Sequence, residues 1–123
     1  MSNLLHGETT KVILGAAFEV WKTLGYGFLE KVYQNALSHE LSRWGGVFRP
    51  QFPIEVAYKG AVVGHFVADL FVAGSVIVEI KAEKTYNPKH EAQLLNYLKA
   101  TGVRVGLLLN FGESKCEFKR LIM

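Results

Sequence analysis

The stretch 67-VADLFVAGSVIVEIK-81 decides the fold. Its two apolar runs flank Ala73-Gly74-Ser75, and this pattern predicts two antiparallel strands joined by a tight turn. With the turn centred on Gly74, residues equally distant from that glycine face each other, so Asp69 faces Glu79. Directly opposed residues on one face have Cβ atoms about 4.5–5.5 Å apart, and two carboxylates at that distance repel unless something neutralises them.

Lys81 lies two residues after Glu79 and therefore projects from the same face of its strand. The alternating residues Val76, Val78 and Ile80 point to the other face, which we predict to be core. Two converging carboxylates suit a hard cation such as Mg²⁺, and a lysine beside them can orient or polarise a metal-bound water. The alternative is an ordinary ion-pair ladder on a solvent-facing strand. The apolar neighbours favour a central strand, where an uncompensated charged cluster is costly.

Two helices are predicted before this hairpin. Apolar residues recur at helical spacing over residues 10–24, with Gly25 as the stop, and over about residues 27–44, with Gly45-Gly46 as the stop. The pattern then changes to β-branched and aromatic runs. This pattern over residues 47–81 predicts three antiparallel strands. The runs are interrupted at Pro50, Pro53, Lys59-Gly60 and Ala73-Gly74-Ser75.

A helix and two strands are predicted after the hairpin. Asn87 is the predicted cap of a helix that begins at Pro88 and ends at Gly102. The apolar run 103–111 indicates a strand covered on both faces, and 116–122 is the last strand. The element order is therefore ααβββαββ, an α/β or α+β arrangement in which helices flank a mixed sheet. We expect residues 1–123 to form one domain.

The composition limits the class of protein. Half of the 123 residues are hydrophobic and a fifth are charged, which is a globular balance. No apolar run approaches the roughly 18 residues of a membrane span, and no signal-peptide layout opens the chain, so we expect a cytoplasmic protein outside the membrane. The lone Cys116 excludes an intrachain disulfide and a cysteine-rich zinc site. The formal charge of +3 permits a nucleic-acid partner without requiring one.

Two further polar patterns point to the hairpin. In the third helix, His90, Gln93 and Tyr97 form one polar stripe beside the leucine face. In the second helix, Glu30 and Tyr33 are three residues apart near the start, where the helix dipole favours a carboxylate. The structural alternatives are a solvated helix flank and a helix-start acid.

An acid in a first helix, a hairpin bearing Asp-x₉-Glu-x-Lys and a helix with Gln-x₃-Tyr together resemble the PD-(D/E)XK nuclease superfamily. Within it, the chain resembles the small GxxExxY proteins, because residues 27–33 read GFLEKVY. Stretches 68–70, 77–82, 92–99 and 106–112 are also similar to that family. The resemblance covers about residues 10–122.

The resemblance implies a restriction-endonuclease-like core with a metal site. Asp69, Glu79 and the backbone carbonyl of Ile80 would hold one or two Mg²⁺ or Mn²⁺ ions. Glu30 matches the acid that the first core helix contributes to such sites, and Lys81 would position the attacking water.

The resemblance also gives the third helix a role and shows two departures. Gln93 and Tyr97 match an element of RecB-like nucleases and would orient Lys81, the metal waters or the substrate strand. Ala68 stands where the motif has proline, which leaves the acid in place. Trp21 stands where many GxxExxY relatives have a histidine. Any contribution of that histidine to metal or substrate binding is lost here.

The predicted function is metal-dependent hydrolysis of phosphodiester bonds in nucleic acid, with DNA preferred to RNA. The predicted substrate-binding residues are Tyr33, Lys84, Lys89, His90 and Tyr97. We expect weak sequence specificity. A homodimer or a larger partner would add to the affinity for the substrate. Two alternatives stay open: a non-catalytic nucleic-acid-binding or accessory module that retains the fold, and a structural interaction protein with an ion-pair network.

Overall fold

A computed structural model describes residues 4–123 and has the predicted order of elements. Its helices and strands are α1 (Gly7–Leu24), α2 (Glu30–Arg43), β1 (Phe48–Tyr58), β2 (Ala61–Val72), β3 (Val76–Lys81), α3 (His90–Thr101), β4 (Val105–Phe111) and β5 (Cys116–Ile122). The prediction ααβββαββ is confirmed. Within the described residues, no helix has both the length and the apolar character needed to cross a membrane.

Two helices begin later than predicted. The α2 helix begins at Glu30, because Gly27 has a positive φ of 119° and Leu29 is extended. The α3 helix begins at His90. Asn87 still shapes its entry, since its Oδ1 accepts a hydrogen bond from the Lys89 backbone N–H at 3.0 Å and forms a turn before the helix.

The five strands form one mixed sheet in the order β1-β2-β3-β4-β5. Only β3 and β4 are parallel, and the crossover between them is α3. The other three neighbouring pairs are antiparallel. The sequence marked Pro50 and Pro53 as interruptions, but both lie inside β1. They are tolerated because β1 is an edge strand and has a hydrogen-bonded neighbour on one side only.

The sheet has a hydrophobic core on each face. One core lies under α1 and α2 and includes Ile13, Ala16, Leu37, Val78, Ile80 and Leu107. The other lies under α3 and includes Ile77, Leu94, Leu98 and Leu108. Strand β3 therefore contributes to both cores. On the face of β3 opposite Val78, Ile77 packs under α3, and the face becomes polar from Glu79.

The contact between α3 and β4 requires a glycine in the strand. A Cβ added at Gly106 would lie 2.9–3.0 Å from the side-chain carbons of Leu94, which is fully buried. The helix can thus approach the sheet closely only because Gly106 has no side chain.

We predict that Gly106→Ala lowers the free energy of unfolding by about 1–3 kcal/mol, because the added methyl overpacks the buried Leu94. Chemical denaturation of the wild type and the variant measures the loss. Gly64→Ala is the matched control, since a Cβ at that strand glycine has no neighbour closer than 3.4 Å. Equal stability of Gly106→Ala and the wild type would contradict the prediction.

Candidate functional site

The candidate site begins where regular pairing between β2 and β3 ends. The two strands pair at Leu70↔Val78, Phe71↔Ile77 and Val72↔Val76, which is the register predicted around Gly74. At the next position, side-chain carboxylates accept the hydrogen bonds that backbone carbonyls accept in a regular ladder. The Glu79 carboxylate accepts a hydrogen bond from the Asp69 N–H at 2.8 Å, and the Asp69 carboxylate accepts one from the Ile80 N–H at 2.7 Å.

The side-chain alternation of strand β2 is also interrupted at Asp69. Ala68 belongs to the core under α3, whereas Leu70 belongs to the core under α1 and α2, although residues two apart normally share a face. On β1, Gln51 has a left-handed φ of 53°, and the pairing of β1 with β2 skips this position opposite Asp69. The irregular backbone aims the Asp69 carboxylate at β3 while both flanking apolar residues stay buried.

The two carboxylates share a partly buried environment that disfavours negative charge. Burial raises the pKa of Glu79 to about 8, with further contributions from the charges of Asp69 and Glu30. Burial also raises the pKa of Asp69, against the hydrogen bond from Ile80 and the positive charge of Lys81. In the metal-free protein at neutral pH, the pair therefore retains about one proton.

Positive charge reaches the pair from two elements. Lys81 at the end of β3 favours the ionised form of both carboxylates. Lys31 in the first turn of α2 acts on Asp69 in the same way. We did not single out Lys31 from the sequence, although it follows Glu30 directly, because only the packing of α2 against the sheet brings it near Asp69.

Glu30 and Tyr33 occupy different environments, although they are three residues apart. Glu30 is exposed, and its charge acts on Glu79 from the start of α2. Tyr33 is fully buried and stacks on Phe111 with ring centroids 4.5 Å apart. Its hydroxyl donates to the Gly25 carbonyl at 2.6 Å. Tyr33, which was predicted to contact substrate, is thus buried in this structure and holds the loop that leads to Glu30.

Gln93 and Tyr97 lie beside the carboxylate pair. Gln93 Nε2 donates to the Tyr97 hydroxyl at 2.8 Å. Burial raises the pKa of Tyr97, and the charges of Glu79 and Asp69 raise it further, which places the phenol within electrostatic reach of both carboxylates. The structure thus brings together Asp69, Glu79, Lys81, Gln93 and Tyr97.

The other predicted substrate contacts are engaged elsewhere or exposed. His90 Nε2 contacts the Glu83 carboxylate. Lys84 lies 3.9 Å from Glu113 with most of its side chain exposed. Lys89 is exposed at the start of α3. The hydrogen bonds and charges that act on the Asp69–Glu79 pair come from other residues.

Asn110 fixes the chain just after Lys81 and was missed in the sequence. Its side chain accepts from the Glu83 N–H and donates to the Glu83 carbonyl, each at 2.9 Å. Asn110 is buried and lies opposite Lys81 in the parallel register of β3 and β4. A lone amide in the apolar run 103–111 is the signal that would have identified it.

Trp21 has a structural contact in place of the histidine of the resembled family. Its indole Nε1 donates to the Gly112 carbonyl at 2.9 Å and ties α1 to the end of β4.

The donor chemistry of the pair fits a divalent cation. The pKa of Glu79 is raised by burial and by the charge of the partly buried Asp69, so the two carboxylates form a centre that a hard cation would stabilise, and neither hydrogen bond uses Asp69 Oδ1 or Glu79 Oε1. The predicted third carboxylate does not join them. Within residues 4–123, no three His, Cys, Asp or Glu side chains are close enough to hold a metal ion. Glu30 therefore acts at longer range than the resemblance implied.

The raised pKa values predict how the stability of the metal-free protein depends on pH. Glu79 binds its proton more tightly in the folded than in the unfolded state, so its stabilising effect is complete below pH 4.5 and is lost as pH rises through about 8. We expect the thermal midpoint in chelator to fall by several degrees over this interval. In Glu79→Gln, the fall should be much smaller. An equally steep fall in Glu79→Gln would contradict the assignment.

Comparisons with known proteins agree with this geometry. Residues 7–121 match the family description PD-(D/E)XK nuclease superfamily. No curated protein matches the chain significantly. Among solved structures, the crystal structure of SSO0001 is similar with a TM-score of 0.60 and 17% identity, covering 95% of this chain and 58% of that one.

A second solved structure is the alkaline exonuclease LHK-Exo from Laribacter hongkongensis. Its TM-score is 0.55 at 11% identity, with 99% of this chain and 72% of that chain covered. The chain thus spans little more than half of SSO0001 and under three quarters of the exonuclease. These likenesses show a restriction-endonuclease-like α+β fold. With a family match over nearly its whole length, the chain belongs to the PD-(D/E)XK nuclease superfamily.

Proposed function

We propose that the chain is a divalent-metal-dependent nuclease that hydrolyses phosphodiester bonds in DNA or RNA, with DNA preferred. The observation that carries the proposal is the convergence of Asp69 and Glu79 at the break between β2 and β3, with Lys81 beside them. Membership of the nuclease superfamily supports the same reaction class.

The residues of the site divide the work of hydrolysis. Asp69 and Glu79 would hold Mg²⁺ or Mn²⁺, with the Ile80 carbonyl as an additional oxygen donor. When bound, the cation supplies Lewis-acid stabilisation of the charge that grows on the phosphate oxygens. Lys81 would orient the attacking water, because its ammonium lies in the field of the two carboxylates. The water oxygen would form the new bond to phosphorus as the bond to the leaving oxygen breaks, and the proton that the water loses balances the one that the leaving oxygen takes up.

The raised pKa of the pair is consistent with this role. A cation that binds two carboxylates must displace the proton they retain at neutral pH. The metal-free protein thus keeps the pair partly neutral, while the metal-bound protein would have both groups ionised.

We predict that Asp69→Asn abolishes cleavage and that Lys81→Ala lowers its rate by at least about a hundredfold, the scale of a lost proton-transfer or water-orienting group. The assay incubates purified protein with single-stranded, duplex and branched DNA and with RNA, in Mg²⁺, Mn²⁺ or chelator. Lys22→Ala is the matched control, because Lys22 is an exposed lysine in the last turn of α1.

Three outcomes of this assay separate the functions. Metal-dependent cleavage that is lost in Asp69→Asn supports the nuclease. Nucleic-acid binding without cleavage under any condition favours the accessory module. Cleavage that survives in both Asp69→Asn and Lys81→Ala contradicts the proposed site.

We predict that Glu30→Gln lowers the cleavage rate about ten- to a hundredfold, as the loss of a charge near the metal ligands commonly does. Stability should change little, because Glu30 is exposed at the start of α2. Rates and thermal midpoints are measured on the same preparations. A large loss of stability with a normal rate would make Glu30 a structural residue instead.

A further inference from the structure

A groove lies between the β1–β2 hairpin and α3, next to the candidate site but outside it. Its volume is about 640 Å³, within the range of pockets that hold one small organic ligand. Asp69, Glu79 and Lys81 are not among its lining residues. Tyr97 belongs to both places, because it lines the groove and its hydroxyl lies in the field of the two carboxylates.

The groove has an aromatic pair and two amides. Phe66 and Tyr97 line it with their ring centroids 5.7 Å apart. Phe66 is 44% exposed, so a large part of its ring is available to a ligand, whereas Tyr97 is 5% exposed and packs behind it. Gln93 and Asn96 are exposed along the same wall of α3 and offer amide donors and acceptors. Aromatic faces with neighbouring amides are the chemistry that binds a nucleobase by stacking and by hydrogen bonds to its edge.

The charges of the groove favour a base over a run of phosphates. One basic residue, Lys99, and one acidic residue, Glu55, line it. This balanced pair gives no net attraction for several phosphates, whereas nucleobases are neutral. Lys99 can still contact one phosphate next to a bound base.

We infer that this groove binds one unpaired nucleobase of a single-stranded nucleic acid, which places the adjoining phosphodiester at the Asp69–Glu79 pair. The inference rests on the proposed function for its class of ligand and adds that the substrate is single-stranded at the cleavage point. A base inside a duplex is stacked on both sides and cannot reach the aromatic pair unless it leaves the helix. Phe66, Asn96 and Lys99 thereby become substrate-binding residues.

The test is a binding measurement in chelator, so that it does not depend on cleavage. Fluorescence anisotropy compares short single-stranded DNA, single-stranded RNA and blunt duplex DNA as probes. We expect tighter binding of a single strand than of the duplex, and about a tenfold weaker affinity for that strand in Phe66→Ala, as for the loss of one stacked base. Phe118→Ala is the matched control, because Phe118 is 46% exposed on β5 and lies outside the groove lining.

A second variant keeps the test decisive if Phe66→Ala folds poorly. Asn96→Ala changes an exposed helix residue and should weaken single-strand binding a few-fold with an unchanged thermal midpoint. Photocrosslinking of a halogenated pyrimidine in the strand, mapped by mass spectrometry, should label Phe66, whose ring is exposed. Wild-type affinity in folded Phe66→Ala and Asn96→Ala, equal binding of the duplex, or no binding of any probe would overturn the inference.

The experiments distinguish an error in the groove inference from an error in the proposed nuclease function. If cleavage is absent but single-strand binding depends on Phe66, the proposed nuclease fails and the groove stands. If cleavage depends on Asp69 but single-strand binding is indifferent to Phe66 and Asn96, the nuclease stands and the groove fails.

Discussion

The site depends on one constraint: at one position between β2 and β3, two side-chain carboxylates replace the backbone carbonyls as hydrogen-bond acceptors. Between β2 and β3, the amides of Asp69 and Ile80 donate to side chains on the opposite strand instead of to carbonyls. The exchange satisfies two backbone donors and brings two acids together inside the fold. Its cost is the desolvation of negative charge, which appears as the raised pKa of Glu79 and of Asp69.

The surrounding layers keep this arrangement in place. Helices α1 and α2 bury one face of β3 and α3 buries the other, so the strand that carries Glu79 and Lys81 cannot shift without disturbing both cores. Asn110 secures the chain beyond Lys81, and the buried Tyr33 secures the loop before Glu30. The charged and polar side chains that act on the pair thus come from three elements, α2, β3 and α3, which apolar packing holds in place.

The sequence predicted those parts of the fold and site that depend on local pattern. The register around Gly74 followed from the turn, since Ala73 and Gly74 both have positive φ, and it brought Asp69 opposite Glu79. The interrupted side-chain alternation of β2 at Asp69 could not be predicted, because the alternation rule assumes a regular pleat. The burial of Tyr33 and the exposure of Phe66 over a groove depend on how helices dock, which periodicity in one segment does not specify.

The titration of the Glu79 carboxyl tests the central claim most directly. Carbon-13 NMR of the labelled side chain reports its pKa in the folded protein, first in chelator and then with Mg²⁺. A carboxylate pair that retains a proton until a cation displaces it predicts a midpoint near pH 8 in chelator and a much lower one with Mg²⁺. A midpoint near the ordinary value of 4.5 that Mg²⁺ does not move would contradict it.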